Sequence, residues 1–123
     1  VARAIRGAGA RDVGMVVAHG NGTRLSDSSE AAAIAGTLGS VPVTAFKWCV
    51  GHTLAATGSI ETVLALLALR EGRVPGIATL RTPGFPSLSV SAGEQKPRSA
   101  KALVIARAFG SLNTCLAISA EVA

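Results

Sequence analysis

Two histidines, His19 and His52, are the only imidazoles in the chain, and each stands next to a glycine. Imidazole titrates closer to neutrality than any other side chain, so it can donate, accept or shuttle a proton. Lys47 and Cys49 lie just before His52 in "KWCVGH", and Glu61 follows in the next apolar run. Cys115 is the second of only two thiols. A metal site fits these residues poorly. Neither HxxxH nor CxxC occurs, and Cys49 with His52 leaves two ligands of a tetrahedral site unsupplied. A Ser-His-Asp hydrolase fits no better, because the GxSxG elbow is absent. On spacing alone, two working histidines and two packed ones remain equally open.

The elements that would position these residues read as follows. "ARAIRGAG" is the end of a helix stopped by glycine. "VGMVVAHG" is a short apolar strand that delivers His19 at its end. "NGTRLSDSS" is a loop by composition, and "SSEAAAIAGTLG" is a helix with a serine N-cap and a closing glycine. "VPVTAF" is a second strand before the Lys47–His52 segment. A helix from about Thr53 to Glu71, apolar nearly all round, is expected to be buried between layers. "GRVPGIATLRTPGFPS" is a connector, and "SLSV" a candidate short strand. "AKALVIARAF" and "TCLAISAEV" are the last two strands, joined by a "GSLN" hairpin. The order β-α-β-α-β-β points to a three-layer α/β arrangement with a mixed sheet. Loops at the carboxyl ends of strands are where such sheets place ligands.

Composition narrows the classes further. The chain of 123 residues is 49% hydrophobic and 15% charged, so one core, or one half of a larger one, can form. Aromatics reach only 3% and the twelve basic residues are scattered, which disfavours a nucleic-acid surface despite the net charge of +5. A mildly basic surface suits an acidic protein partner or an anionic ligand. The longest apolar stretch carries Glu61, Arg70 and Glu71, so no membrane span is expected. Two distant cysteines favour a reducing, cytoplasmic setting. The first residue is valine, which suggests that the chain begins inside a longer gene product.

"VVAHGNGTRLSDSSEAAAI" resembles the HGTGT-x-x-x-D-x-x-E segment of the β-ketoacyl-acyl carrier protein synthases, the condensing enzymes of fatty-acid and polyketide synthesis. "KWCVGHTLAATGSIETVLALLALREGRVPGIATL" is similar to their K-x-x-x-GH-x-x-x-A-x-G-x-x-E segment. "ARAFGSLNTCLAIS" matches the position of their SFGFGGTN hairpin, with a poorer fit. The resemblance implies a thiolase-like fold of two similar halves, with residues 1–123 as the C-terminal half. It implies decarboxylative Claisen condensation of an acyl thioester with malonyl-carrier protein, in fatty-acid or polyketide synthesis. His19 and His52 fall on the two catalytic histidines, Lys47 on the lysine beside them and Glu61 on its supporting glutamate. Asp27 and Glu30 match the acidic pair after the first histidine, and Thr23 the closing threonine of HGTGT.

Phe109, Gly110 and Ser111 fall on the acyl gate and oxyanion region. There the family's second phenylalanine is replaced by Ser111, and its paired glycines by Leu112 and Asn113. Asn21 replaces a threonine in HGTGT. The nucleophilic cysteine of the family belongs to the N-terminal half, and Cys49 and Cys115 are expected to be packed core residues. The fragment alone is therefore expected to be inactive. The implied partners are acyl carrier protein, the N-terminal half of the same synthase, and a second subunit in a homodimer or heterodimer. No metal or organic cofactor is implied, because substrates ride on the phosphopantetheine of the carrier. The alternatives are a non-catalytic chain-length-factor-like subunit and a thiolase-related acyltransferase.

Overall fold

The computed structural model of the chain describes residues 1–120. Its elements are α1 (Ala2–Gly7), β1 (Met15–Val17), α2 (Arg24–Leu38), β2 (Val43–Thr44), α3 (Lys47–Val50), a 3-10 turn (Leu54–Ala56), α4 (Thr57–Arg70), β3 (Lys101–Ala108) and β4 (Leu112–Ser119). Among the described residues the four strands form one sheet in the order β2-β1-β3-β4. β1 runs parallel to β2 and β3, while β3 and β4 pair antiparallel. The sheet is therefore mixed, as the element order led one to expect.

Side chains alternate across a strand, and here each face finds its own layer. Val16, Val43, Leu103 and Ile105 pack with Ile5 of α1 and Ile34 of α2 on one side. Met15, Val17, Ala102 and Val104 pack with Ala65, Ala68 and Leu69 of α4 on the other. β1 and the first half of β3 are covered on both faces, which explains their unbroken apolar runs. Small residues, Ala65 and Ala68, let α4 lie close to the sheet.

Three features differ from the sequence expectation. α2 starts at Arg24, four residues before Ser28, so six of the nine residues of the expected loop are helix. Ser28 and Ser29 turn their hydroxyls back onto the carbonyls of Leu25 and Ser26, which reconciles poor helix formers with a helical turn. "SLSV" forms no named strand; Ser89 makes only an isolated parallel bridge beside Pro42. α4 is not buried all round either. Glu61, Ala65, Ala68 and Leu69 face the sheet, whereas Val63 and Leu67 are 56% and 48% exposed. The sheet covers only one side of the helix, and the remaining apolar stripe meets no other described element.

Leu103 sits in the central strand at 0% exposure. Leu103→Ala should cost about 2–5 kcal/mol, as buried leucine truncations do. A urea titration reads this as a lower midpoint at unchanged slope; a loss below about 0.5 kcal/mol, the scale of surface changes, would contradict the central placement.

Candidate functional site

β1 carries the chain out of the sheet to His19, which is 3% exposed. The turn that follows needs Gly20: its φ is +46°, and a Cβ there would lie 2.8 Å from the Ala45 side chain. The turn is held by one side chain. Glu30 of α2 accepts the His19 N–H at 2.8 Å on Oε1 and the Gly20 N–H at 3.0 Å on Oε2. Burial pushes the Glu30 carboxyl up from its ordinary pKa, and these two N–H donors pull it back. Further along, Asn21 Oδ1 accepts from the N–H and the hydroxyl of Thr23, at 3.0 and 2.9 Å. Asn21 thus closes an Asx turn that leads into the N-cap of α2.

Between β2 and His52, which lies ahead of the 3-10 turn and α4, stands the short α3 turn. That turn places Lys47 against α4, where Nζ meets Glu61 Oε1 at 2.6 Å with both side chains 5% exposed or less. Burial raises the Glu61 carboxyl, and Lys47 opposes that rise. The pair fastens α3 to α4, and Gly51 then swings the chain to His52 at φ +74°. Leu54, at φ +52°, aims its N–H at His52 Nδ1 at 3.1 Å. A left-handed leucine costs about 1–2 kcal/mol, a local strain set beside the histidine ring. Cys49, expected to be packed, is exposed, with its thiol on the Phe46 carbonyl at 3.1 Å. It lies on a single helical turn, none of whose residues is fully buried among the described residues.

The two rings meet edge to face, centroids 5.5 Å apart and planes at 77°. The Arg107 N–H donates to His19 Nδ1 at 3.3 Å. Both Nδ1 atoms therefore accept from backbone, and in each neutral ring the proton stands on Nε2. Burial, with the charges of Lys47, His52 and Arg107 behind it, holds the His19 pKa down to about 4. The ring is thus a neutral donor at pH 7. Both imidazoles line an open cleft of about 720 Å³ with Asn21, Thr23, Leu25 and Phe109. Two N–H donors in one cleft can stabilise an oxygen there as it gains negative charge.

The other expected site residues fall around this centre. Thr23 lines the cleft, and Glu30, Glu61 and Lys47 lie behind it as supports. Asp27 stands on α2 away from the cleft; burial raises its carboxyl, and its Oδ1 has no partner among the described residues. Phe109 lines the cleft, whereas Gly110 and Ser111 do not; they form the tip of the β3–β4 hairpin in left-handed geometry. Cys115 is half-buried beside the α1/α2 layer, and burial pushes its thiol up to about 11. Sequence reasoning missed Arg107 and Leu54. A lone charge inside the apolar run "ALVIARAF" was the available signal for Arg107; nothing local announced the backbone of Leu54. Among the described residues, no cluster of three or more His, Cys, Asp or Glu could hold a metal ion, and no helix is long and apolar enough to cross a membrane.

Comparison with known proteins adds an independent line. The family profile for the β-ketoacyl synthase C-terminal domain matches residues 1–81. An actinorhodin polyketide protein of Streptomyces coelicolor that carries a β-ketoacyl synthase name is 37% identical over 117 residues, 89% of this chain and 25% of its own length. The solved ishigamide ketosynthase/chain length factor superposes with a TM-score of 0.89 at 25% identity, over 98% of this chain and 32% of that one. A ketosynthase structure in complex with its type II acyl-carrier protein superposes at 0.78 and 26% identity, over 89% of this chain and 28% of that one. The chain thus spans a quarter of the curated relative's length.

Two measurements check the geometry. The His19 ring should show no NMR titration between about pH 5.5 and 8, since its pKa lies near 4. Unfolded, the same ring titrates near 6.5, so below that pH the unfolded chain binds the extra proton. The His19 contribution is therefore complete above pH 6.5 and lost as pH falls toward 4. For the buried pair, Lys47→Met leaves Glu61 without its cation and should cost about 3–5 kcal/mol, whereas the double variant Lys47→Met/Glu61→Leu should recover most of it. Equal losses in a urea double-mutant cycle would deny the coupling.

Proposed function

The chain belongs to the β-ketoacyl synthase family as its C-terminal domain, and on that premise we propose that it is the histidine-bearing half of an acyltransferase. The reaction is decarboxylative Claisen condensation of an acyl thioester with a malonyl group on acyl carrier protein, in polyketide or fatty-acid synthesis. The N-terminal half supplies the cysteine that takes the acyl group. Polyketide synthesis is the favoured setting, because the similar proteins named above are polyketide proteins.

One observation carries the reading: both imidazoles accept a backbone N–H on Nδ1, so both hold their proton on Nε2 in one cleft. When the malonyl C–C bond breaks, carbon dioxide leaves and its electron pair passes into the thioester as an enolate. The growing charge on the thioester oxygen is what the two Nε2–H groups of His19 and His52 stabilise. The enolate carbon then attacks the acyl carbonyl on the cysteine, and the thiolate departs as the tetrahedral intermediate collapses. Lys47 and Glu61 are positioning residues that fix the segment bearing His52, while Glu30 fixes the backbone of His19. Asp27 completes the acidic pair of α2. The cleft is built from side chains and needs no metal or organic cofactor for this chemistry.

The carrier protein is the proposed partner, as it is of one solved relative, and a paired subunit is the second. The hairpin supports one other reading, a chain-length-factor-like subunit, because Ser111 stands where the family gate is phenylalanine. Retention of both histidines favours the enzyme, and an upstream sequence with glutamine in place of the cysteine would favour the subunit. The thiolase reading loses ground at Cys115, whose raised pKa keeps it a thiol rather than a nucleophile.

His52→Ala in the intact protein should slow malonyl decarboxylation about 100- to 1,000-fold, the usual effect of removing one oxyanion donor. The readout is carbon dioxide release from malonyl-carrier protein. Undiminished release would sink the role of His52.

A further inference from the structure

The backbone N–H of Arg107 serves His19 in the mechanism above, but its side chain has no part there, and the residue lines the same cleft. It lies on β3 opposite Asn113 of β4, and its side chain reaches across to α2. Nε donates to Asn113 Oδ1 at 3.0 Å, and Nη1 to the Ser26 carbonyl and hydroxyl at 2.6 and 3.0 Å. All three acceptors are neutral. Among the described residues Nη2 has no hydrogen-bond partner, and no carboxylate pairs with the guanidinium. Asp27 and Glu30 feel its field, but both oxygens of Glu30 are already taken by backbone N–H groups.

Arginine stays charged under all ordinary conditions, and its planar fork matches carboxylate and phosphate. Here the fork is half-buried and held by neutral oxygens on two elements, so the orientation is fixed before any ligand arrives. Holding a cation this way, without an anion, wastes part of its hydration; an anion in the cleft recovers it. We propose that Arg107 is a specificity-determining anion contact, which takes a carboxylate or phosphate oxygen of the acyl-carrying substrate on Nη2. This rests on the reading of the cleft as a site for acyl thioesters. Two parts of such a substrate share the chemistry: the free carboxylate of the malonyl group, and the phosphate of the carrier arm.

Equilibrium binding to the intact synthase, compared between the native protein and Arg107→Gln, tests this without requiring turnover. Malonyl-N-acetylcysteamine carries a carboxylate and no phosphate, phosphopantetheine carries the reverse, and acetyl-N-acetylcysteamine carries neither. Loss of one charge-assisted contact should weaken the anionic probe that Arg107 holds by about tenfold or more. Acetyl-N-acetylcysteamine should bind unchanged. A loss confined to the malonyl probe identifies the carboxylate as the source, and one confined to phosphopantetheine identifies the phosphate. Equal losses for all three probes, or none, would overturn the proposal and leave Arg107 a structural tether. If Arg107→Gln does not fold, the salt dependence of the native protein decides: affinity for an anionic probe should fall with ionic strength while that for the acetyl probe does not. Salt-independent binding of both anions would overturn it equally. Failure of His52→Ala to affect decarboxylation would undo the proposed reaction but leave this binding result standing on its own.

Discussion

A single buried carboxylate holds the site together. Glu30, 2% exposed, spends both oxygens on the N–H groups of His19 and Gly20. A sheet strand ends there, and without Glu30 the buried His19 N–H and the part-buried Gly20 N–H would lose their partners. An unpaired buried N–H costs on the order of 1–3 kcal/mol, so the position of α2 is tied to the exit of β1. What α2 and its N-cap contribute to the cleft, from Thr23 to Ser29, inherits its placement from that contact. The second buried carboxylate, Glu61, plays the same part for the other histidine by taking the Lys47 ammonium. Each histidine thus has a carboxylate behind it that touches the chain rather than the ring.

Among the described residues, no carboxylate bonds to either ring. A carboxylate on Nδ1 would raise ring basicity and favour imidazolium; backbone N–H donors on Nδ1 do the reverse, since they cannot share that nitrogen with a proton. The neighbouring charges at Lys47 and Arg107 push His19 the same way. For His19, burial, a backbone donor and like charge all favour one protonation state, a neutral ring with its proton on Nε2. A pair of such donors is suited to meeting charge that develops on a substrate, and poorly suited to removing a proton from it.

Several expectations were legible because they depend on short-range pattern. The apolar runs around Val16 and Leu103 read as strands and are strands. His19 at a strand end, Lys47 near His52, and the pairing of Lys47 with Glu61 followed from spacing together with the family resemblance. The serine-rich start of α2 misled, because Ser28 and Ser29 are poor helix formers whose hydroxyls found carbonyls one turn back. The apolar helix α4 misled in the opposite sense. Hydrophobicity on all sides does not say which sides are covered, and Val63 and Leu67 remain exposed in this chain. Cys49 looked like packing by residue type, but its depth depends on whether a second layer covers α3, and among the described residues Cys49 stays exposed.

By itself, the sequence determined residue chemistry and local order: two imidazoles, two supporting carboxylates, a lysine and the strands and helices that carry them. Those follow from side-chain type and periodicity, which act over a few residues. Only the tertiary structure decided which nitrogen of each ring carries the proton, because Leu54 reaches His52 by a strained backbone and Arg107 reaches His19 across 88 positions of chain. It also decided that Phe109 faces the cleft while Gly110 and Ser111 do not, and that Arg107 shares the cleft at all. The Arg107 contacts join β3 to His19 at the end of β1 and to α2, which only the folded sheet brings together.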